Sequence, residues 1–396
     1  LTGNSLAILW VSPTISSSFG GPTSTTVNGL IAEKRSGLDS SLLTTTSGDD
    51  YGQIGPALDR LEANGITVRL FRRTGLLAKA EAWGFSLRSV AWMARNLRKF
   101  DVVHLQYVWC ITSIFGALFG RLYGIPVVIT PHESLTDYDI DVASRSRIKR
   151  RVKLSLRQIY LRTASRLIFM SKLEARDTRS GRIPCELICH AVKEEITEIE
   201  PRQETVEPGT LRIGFLGRNI PKKGIHLIVQ AMGRNPGRNW RLSIAGPPGT
   251  EDFQRETRQL IRDLEVEDRV EWVGFLPDRA ELFKRCDLLA MPSHYEGFGM
   301  VAGEALCNAL PVVVPQRTGV AEIVEEFDAG IVMPEASVEE LEKALVTMDD
   351  DPEARCRFSG NGIKAANSRL SFDAYAAATG ALYSSLVSER GSLRAS

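Results

Sequence analysis

The sequence predicts an α/β protein made of two doubly wound, parallel-sheet units, and three observations carry that expectation. Short, nearly continuous apolar runs alternate with amphipathic stretches over most of the 396 residues, as strands buried on both faces by crossover helices do. A chain of this length exceeds what one hydrophobic core usually covers. Between Lys193 and Gly209 the alternation stops in the polar, acidic segment KEEITEIEPRQETVEPG and then resumes, which marks a boundary.

In the first unit the strand candidates are Leu6–Ser12, Val102–Gln106, Val127–Thr130 and Arg166–Ser171. In the second they are Leu211–Gly217, Arg241–Gly246, Val270–Phe275, Leu288–Ser293 and Pro311–Pro315. The expected division is a first Rossmann-like unit over 1–192, a linker over 193–210, a second unit over 211–370 and a terminal helix over 371–396. Sheets of this kind bind ligands beyond the carboxyl ends of their strands, and two of them can face a central cleft.

The first strand feeds a Ser/Gly loop and then a helix expected to carry a Ser or Thr cap. Gly20 and Gly21 would let that backbone approach a diphosphate closely, or would merely shape the turn. No G-x-G-x-x-G follows the strand, so a nicotinamide cofactor is not indicated. In the second unit Arg218 follows a strand, and Lys223 precedes a helix starting near Gly224. A planar fork and a mobile point charge suit a diphosphate; a solvated basic loop is the plain alternative.

The stretch Met291–Pro315 reads as strand, tight loop, helix over Met300–Ala309 and buried strand over Val312–Val314. Gly297 and Gly299 feed a helix N-terminus whose free N–H groups suit an anion, although both glycines could serve the turn alone. Glu296 and Glu304 flank it; eight residues of helix span about 12 Å, against about 5 to 5.5 Å between the carboxyls of a retaining glycosidase. The pair is therefore expected to bind rather than to share acid–base work.

These residues resemble the retaining glycosyltransferases of family 4, with the GT-B fold of two Rossmann-like domains. The family's G-R-x-x-x-x-K-G appears as Gly217, Arg218, Lys223 and Gly224, and its E-x7-E element as Glu296 and Glu304. Further matches are FGGP at Phe19–Pro22, DVVHLQ at Asp101–Gln106 and GIPVVITPHES at Gly124–Ser134. The family's histidine in T-x-H-G falls on His132, with Glu133 where glycine is usual, and its N-G-V is H-A-V at His190–Val192.

The resemblance implies that Arg218 and Lys223 pair with the donor diphosphate and that Glu304 accepts from ribose hydroxyls. Glu296 and the backbone of Gly297, Phe298 and Gly299 would hold the sugar, with the N–H groups of Met300 and Val301 on phosphate. Pro247 and Phe275 would lie near the base, His132 would touch the sugar, and the terminal helix would cross back onto the first domain. His132, Arg218, Lys223 and Glu296 are the implied catalytic set, without metal or cofactor. A UDP-sugar donor and a glycan or lipid-linked acceptor of envelope or exopolysaccharide synthesis follow from the same resemblance. A nucleotide-sugar 2-epimerase and a non-catalytic nucleotide-sugar-binding relative are the alternatives.

Charge and composition bound the remainder. A net charge of +1 gives no global reason to expect nucleic acid, and 43% hydrophobic with 24% charged residues is ordinary for a globular protein. No apolar run approaches the roughly 20 residues of a membrane span, and no secretory leader is evident, so a cytoplasmic location is expected. The cysteines lack disulfide-scaffold spacing; Cys185, Cys189 and His190 cluster without an evident fourth ligand. Ser144–Lys172 holds ten basic residues, no acidic one and an apolar stripe at Ile148, Val152, Leu156 and Ile159. Either the stripe packs on the first unit, or the helix meets anionic lipid or a lipid-diphosphate acceptor; without interleaved aromatics it does not suit nucleic acid.

Overall fold

The computed structural model describes residues 5–48, 50–74, 85–142, 146–194, 209–276 and 278–395. They form two compact units, Leu1–Glu194 with Phe372–Ser396, and Glu195–Ser371. Most of the expected linker, 195–208, lies outside the described residues.

The first unit holds seven strands, β1 Ala7–Val11, β2 Asp39–Thr46, β3 Val68–Arg72, β4 Val102–Gln106, β5 Val127–Thr130, β6 Arg166–Phe169 and β7 Cys185–Leu187. They pair in parallel in the order β3-β2-β1-β4-β5-β6-β7. The second unit holds β8 Leu211–Leu216, β9 Trp240–Ala245, β10 Val270–Gly274, β11 Leu288–Ala290, β12 Val312–Pro315 and β13 Gly330–Met333. Their order is β10-β9-β8-β11-β12-β13, again parallel. In each sheet the order reverses beside the first strand, so the crevices of these doubly wound sheets fall between β1 and β4 and between β8 and β11.

Three local expectations are corrected. The helix Gly21–Arg35 has no Ser or Thr cap: Gly20, at φ +64°, is its N-cap and Pro22 sits in its first turn, while Ser16 caps the short turn before it. The helix after Gly299 runs only from Met300 to Leu306. It stops because Ala309 turns left-handed at φ +55° and the Leu310 N–H closes onto the Ala305 carbonyl.

The third correction concerns the basic helix, Arg147–Thr163. Its buried side chains are Arg157, Tyr160, Leu161 and Thr163, not the apolar stripe. Ile148 is 76% and Val152 50% exposed, beside exposed Arg147, Lys149, Arg150 and Arg151. Arg150 and Lys153 pair with Asp141 and Asp139 of the preceding helix, Asp137–Val142; Arg147, Lys149 and Arg151 have no carboxylate partner among the described residues.

The terminal helix, Phe372–Ala395, belongs to the first unit, where Tyr375, Tyr383 and Leu386 join the core with Trp10, Leu30 and Ile31. No helix among the described residues is long and apolar enough to cross a membrane.

Backbone crowding at the second crevice makes one glycine obligatory. Gly224, at φ +72°, caps the helix Ile225–Arg234, and a Cβ there would lie 2.1 Å from the Pro292 carbonyl oxygen. Gly224→Ala is expected to cost about 2 kcal/mol or more in urea denaturation. Gly237→Ala, whose Cβ meets nothing within 4 Å, is expected to cost much less.

Candidate functional site

In the second unit the sequence-predicted residues gather on the loops that follow the sheet's carboxyl edge. Arg218 and Lys223 follow β8, Pro247 follows β9, Phe275 follows β10, and Glu296 through Gly299 follow β11. The first and last of these loops meet at the crevice: the His294 N–H donates to the Lys222 carbonyl at 2.9 Å, and Lys223 Nζ donates to Glu296 Oε1 at 2.6 Å. The β9 loop closes in behind, since a Cβ on Gly246 would lie 2.3 Å from the Gly217 oxygen and one on Gly249 would overlap the Asn219 oxygen. Small residues therefore let three loop backbones touch.

Burial alone would raise the Glu296 carboxyl, but Lys223 and then Lys222 outweigh it and hold the group below its ordinary range. Lys223 gives Glu296 one of its three ammonium N–H bonds, leaving others for an anion. Arg218 is exposed and has no partner among the described residues, so its guanidinium is free to meet one as well. The N–H groups of Met300 and Val301 have no acceptor among the described residues, whereas those of Ala302 and Gly303 bond back to the Gly299 carbonyl. The Phe298 side chain is buried, and its carbonyl accepts the Val320 N–H at 2.7 Å.

Glu304 is half-buried on the helix Met300–Leu306, and desolvation raises its carboxyl despite the Arg279 guanidinium bonded to its Oε1. Its Oε2 has no partner among the described residues and remains an acceptor. Pro247 is exposed, and Phe275 is 70% exposed, an unusual placement for a large apolar ring. Sequence reasoning missed Arg279, whose partner lies 25 positions on, and Asn219, buried with both amide atoms unpartnered among the described residues. The position of Asn219 next to Arg218 was the only available signal.

In the first unit Gly20 faces open space: nothing lies within 4 Å of where its Cβ would be, and its left-handed φ opens the helix Gly21–Arg35. His132 follows β5, at φ +50°, and Glu133 follows at φ +67°. Glu133 thus adopts the backbone a glycine would take, fixed by its N–H on Glu174 Oε1 at 2.7 Å. His132 is half-buried, its Nε2 lies 2.6 Å from Gln106 Oε1, and burial pushes its pKa down to about 3, so the ring is neutral. His104 and His190 adjoin it: the His190 ring stacks on His132 with centroids 5.2 Å apart, and His104 is reached through Gln106. Cys185, Cys189 and His190 form no metal-ligand cluster among the described residues.

Comparison with known proteins defines the class. Residues 20–187 match the family model described as glycosyl transferase 4-like domain, and residues 197–365 match that of glycosyl transferases group 1. The two units are glycosyltransferase domains, and the fold is GT-B.

Among curated relatives, the chain is 30% identical over 198 residues to the D-inositol 3-phosphate glycosyltransferase of Corynebacterium glutamicum, covering 48% of this chain and 47% of that one. It is 27% identical to the MMP alpha-(1->4)-mannosyltransferase of Mycolicibacterium hassiacum over 76% of this chain and 74% of that one. The chain spans about half the length of the first of these relatives. Anabaena HepE, solved in complex with UDP, superposes with a TM-score of 0.75 at 21% identity over 96% of this chain and 100% of its own.

The Lys223–Glu296 pair sets a pH dependence with a definite sign. Because Lys223 helps hold Glu296 below its ordinary value of 4.5, the pair stabilises the fold above that value and loses its contribution as pH falls through the lower, folded value. In Lys223→Met burial is opposed by Lys222 and Ser293 alone, so the folded carboxyl rises and the deficit of the variant against wild type grows with pH. A deficit of about 3 kcal/mol is expected at about pH 7.5, shrinking as pH approaches the ordinary carboxyl range. Urea denaturation across that range checks it, and a pH-independent deficit would mean that the carboxylate does not depend on Lys223.

Proposed function

We propose that the chain is a retaining, metal-independent glycosyltransferase that moves a hexosyl unit from a UDP-sugar, UDP-glucose first among candidates, to a glycan or lipid-linked acceptor. Envelope or exopolysaccharide synthesis is the setting this reading favours. The observation that carries it is the cluster at the β8/β11 crevice: a free Arg218, Lys223 held by Glu296, two free N–H groups and the open Oε2 of Glu304.

On this reading Arg218, Lys223 and the N–H groups of Met300 and Val301 take the diphosphate. Glu304, braced by Arg279, takes the ribose hydroxyls through Oε2. Exposed Pro247 and Phe275 offer the base an apolar surface. In the second unit Glu296 and the Gly297–Gly299 backbone meet a sugar; in the first, His132 offers a sugar hydroxyl a partner, and Gly20 and Gly21 give backbone access.

Departure of UDP builds negative charge on its terminal phosphate and oxocarbenium character on the sugar. Arg218 and Lys223 meet the first, each such preorganised contact being worth about 3 to 4 kcal/mol. The leaving phosphate takes the acceptor's proton on the same face, so the configuration is retained without a protein base. The relatives named as sugar transferases and the neighbour solved with UDP agree with this donor class.

Titration calorimetry with EDTA present, using UDP, GDP and their sugars, is expected to show UDP binding that Arg218→Ala abolishes. The product is expected to keep the donor's anomeric configuration by NMR, and inversion would overturn the mechanism.

The exposed stripe of the basic helix suits the cytoplasmic face of an anionic membrane, where each basic residue near the surface contributes about 1 kcal/mol. Ile148 and Val152 would enter the headgroup region beside Arg147, Lys149 and Arg151. Flotation with anionic vesicles is expected to fall for Ile148→Asp with Val152→Asp and for Arg147→Glu with Arg151→Glu, and equal flotation would remove the membrane.

A further inference from the structure

The first unit contains a continuous buried polar chain with one charged end. Glu33, on the helix Gly21–Arg35, is fully buried, and three donors converge on its carboxyl. Trp10 Nε1 reaches Oε2 at 3.0 Å, the Ser40 hydroxyl reaches Oε2 at 2.5 Å, and the Tyr383 hydroxyl of the terminal helix reaches Oε1 at 2.8 Å. Tyr383 OH lies 2.8 Å from His104 Nδ1, and His104 Nε2 lies 2.8 Å from the Thr130 hydroxyl and 3.1 Å from Gln106 Nε2. The other end of the same amide, Gln106 Oε1, lies 2.6 Å from His132 Nε2.

The direction of every bond follows from the carboxylate. An ionised carboxyl only accepts, so Tyr383 spends its single hydroxyl proton on Glu33 and must accept from His104 Nδ1–H. Burial pushes the pKa of His104 down to about 3, so the ring is neutral and its other nitrogen, Nε2, is an acceptor. Gln106 must then turn its NH2 toward His104 and its oxygen toward His132. His132, also neutral, must carry its proton on Nε2. Its Nδ1, which has no partner among the described residues, is left as an acceptor.

We propose that Glu33 and Tyr383 are positioning residues that act through His104 and Gln106 to fix the tautomer of His132, presenting Nδ1 as an acceptor to a sugar hydroxyl. The ligand half rests on the glycosyltransferase reading; the tautomer half does not. Burial raises the Glu33 carboxyl to about 7, so the chain is fully anchored only above that pH.

The test is long-range proton–nitrogen NMR of histidine-labelled protein at about pH 8, where Glu33 is ionised. The chain has five histidines, few enough to assign by single substitution. Wild type is expected to show His132 as the Nε2–H and His104 as the Nδ1–H tautomer. Tyr383→Phe and Glu33→Gln are expected to abolish the single-tautomer pattern at both rings. A His132 that carries its proton on Nδ1 in wild type overturns the proposal without any variant, and so does an unchanged pattern in a folded Tyr383→Phe.

Calorimetry with UDP and UDP-glucose separates the two readings. Tyr383→Phe is expected to weaken UDP-glucose up to about tenfold, one neutral hydrogen bond, with UDP unchanged. A wild type that binds neither nucleotide sinks the glycosyltransferase reading and leaves the tautomer result standing.

Discussion

Lys223 reaches Glu296 only because the strand order of the second sheet reverses between β8 and β11. Crossover helices leave those two strands in opposite directions, and the loops beyond their ends are left to face one another. The close approach has a steric condition, met by Gly224 against the Pro292 carbonyl and by Gly246 and Gly249 against the β8 loop. It also has an electrostatic one, since a carboxylate buried as deeply as Glu296 is tolerable only with a cation on it. The basic loop and the E-x7-E element are thus one construction, and neither keeps its geometry without the other.

The parts of this construction legible in the sequence were the parts with local signals. Apolar runs such as Leu211–Leu216 and Val312–Pro315 announce central parallel strands because both of their faces are buried. β2, with sequence DSSLLTTT, escaped because hydroxyl side chains fill five of the eight positions of a largely buried strand, and β3 escaped because most of its residues are exposed at the sheet edge. β7 is a three-residue edge strand with every residue exposed, and β13 a four-residue edge strand that is mostly half-buried. Arg279 was illegible for another reason: its relation to Glu304 exists only once the β10 loop is laid beside the helix Met300–Leu306. The relay in the first unit is the extreme case, because Glu33, His104, Gln106, His132 and Tyr383 span nearly the whole chain and no window of sequence contains two bonded members other than His104 and Gln106.

Substitutions at motif positions can preserve geometry while changing chemistry, and Glu133 is the clearest example. A glycine is usual there because the backbone turns left-handed, and that cost is modest for a single residue held by its surroundings. Here the surroundings are the Glu174 carboxylate, which accepts the Glu133 N–H at 2.7 Å and the Met170 N–H at 3.1 Å. The position next to His132 therefore gains a side chain without losing the turn.

The basic helix resolves an ambiguity that its sequence alone leaves open. A helix with one apolar stripe ordinarily buries it, and the pattern of Ile148, Val152 and Ile159 reads that way. The helix Arg147–Thr163 instead packs through Tyr160 and Leu161 near its C-terminal end, and Arg157 follows them inward because Asp137 accepts its guanidinium at 2.8 Å. An ion pair thus substitutes for an apolar contact on the inner face, and the apolar side chains are displaced outward. Exposed aliphatic residues among unpaired cations do not stabilise an isolated unit.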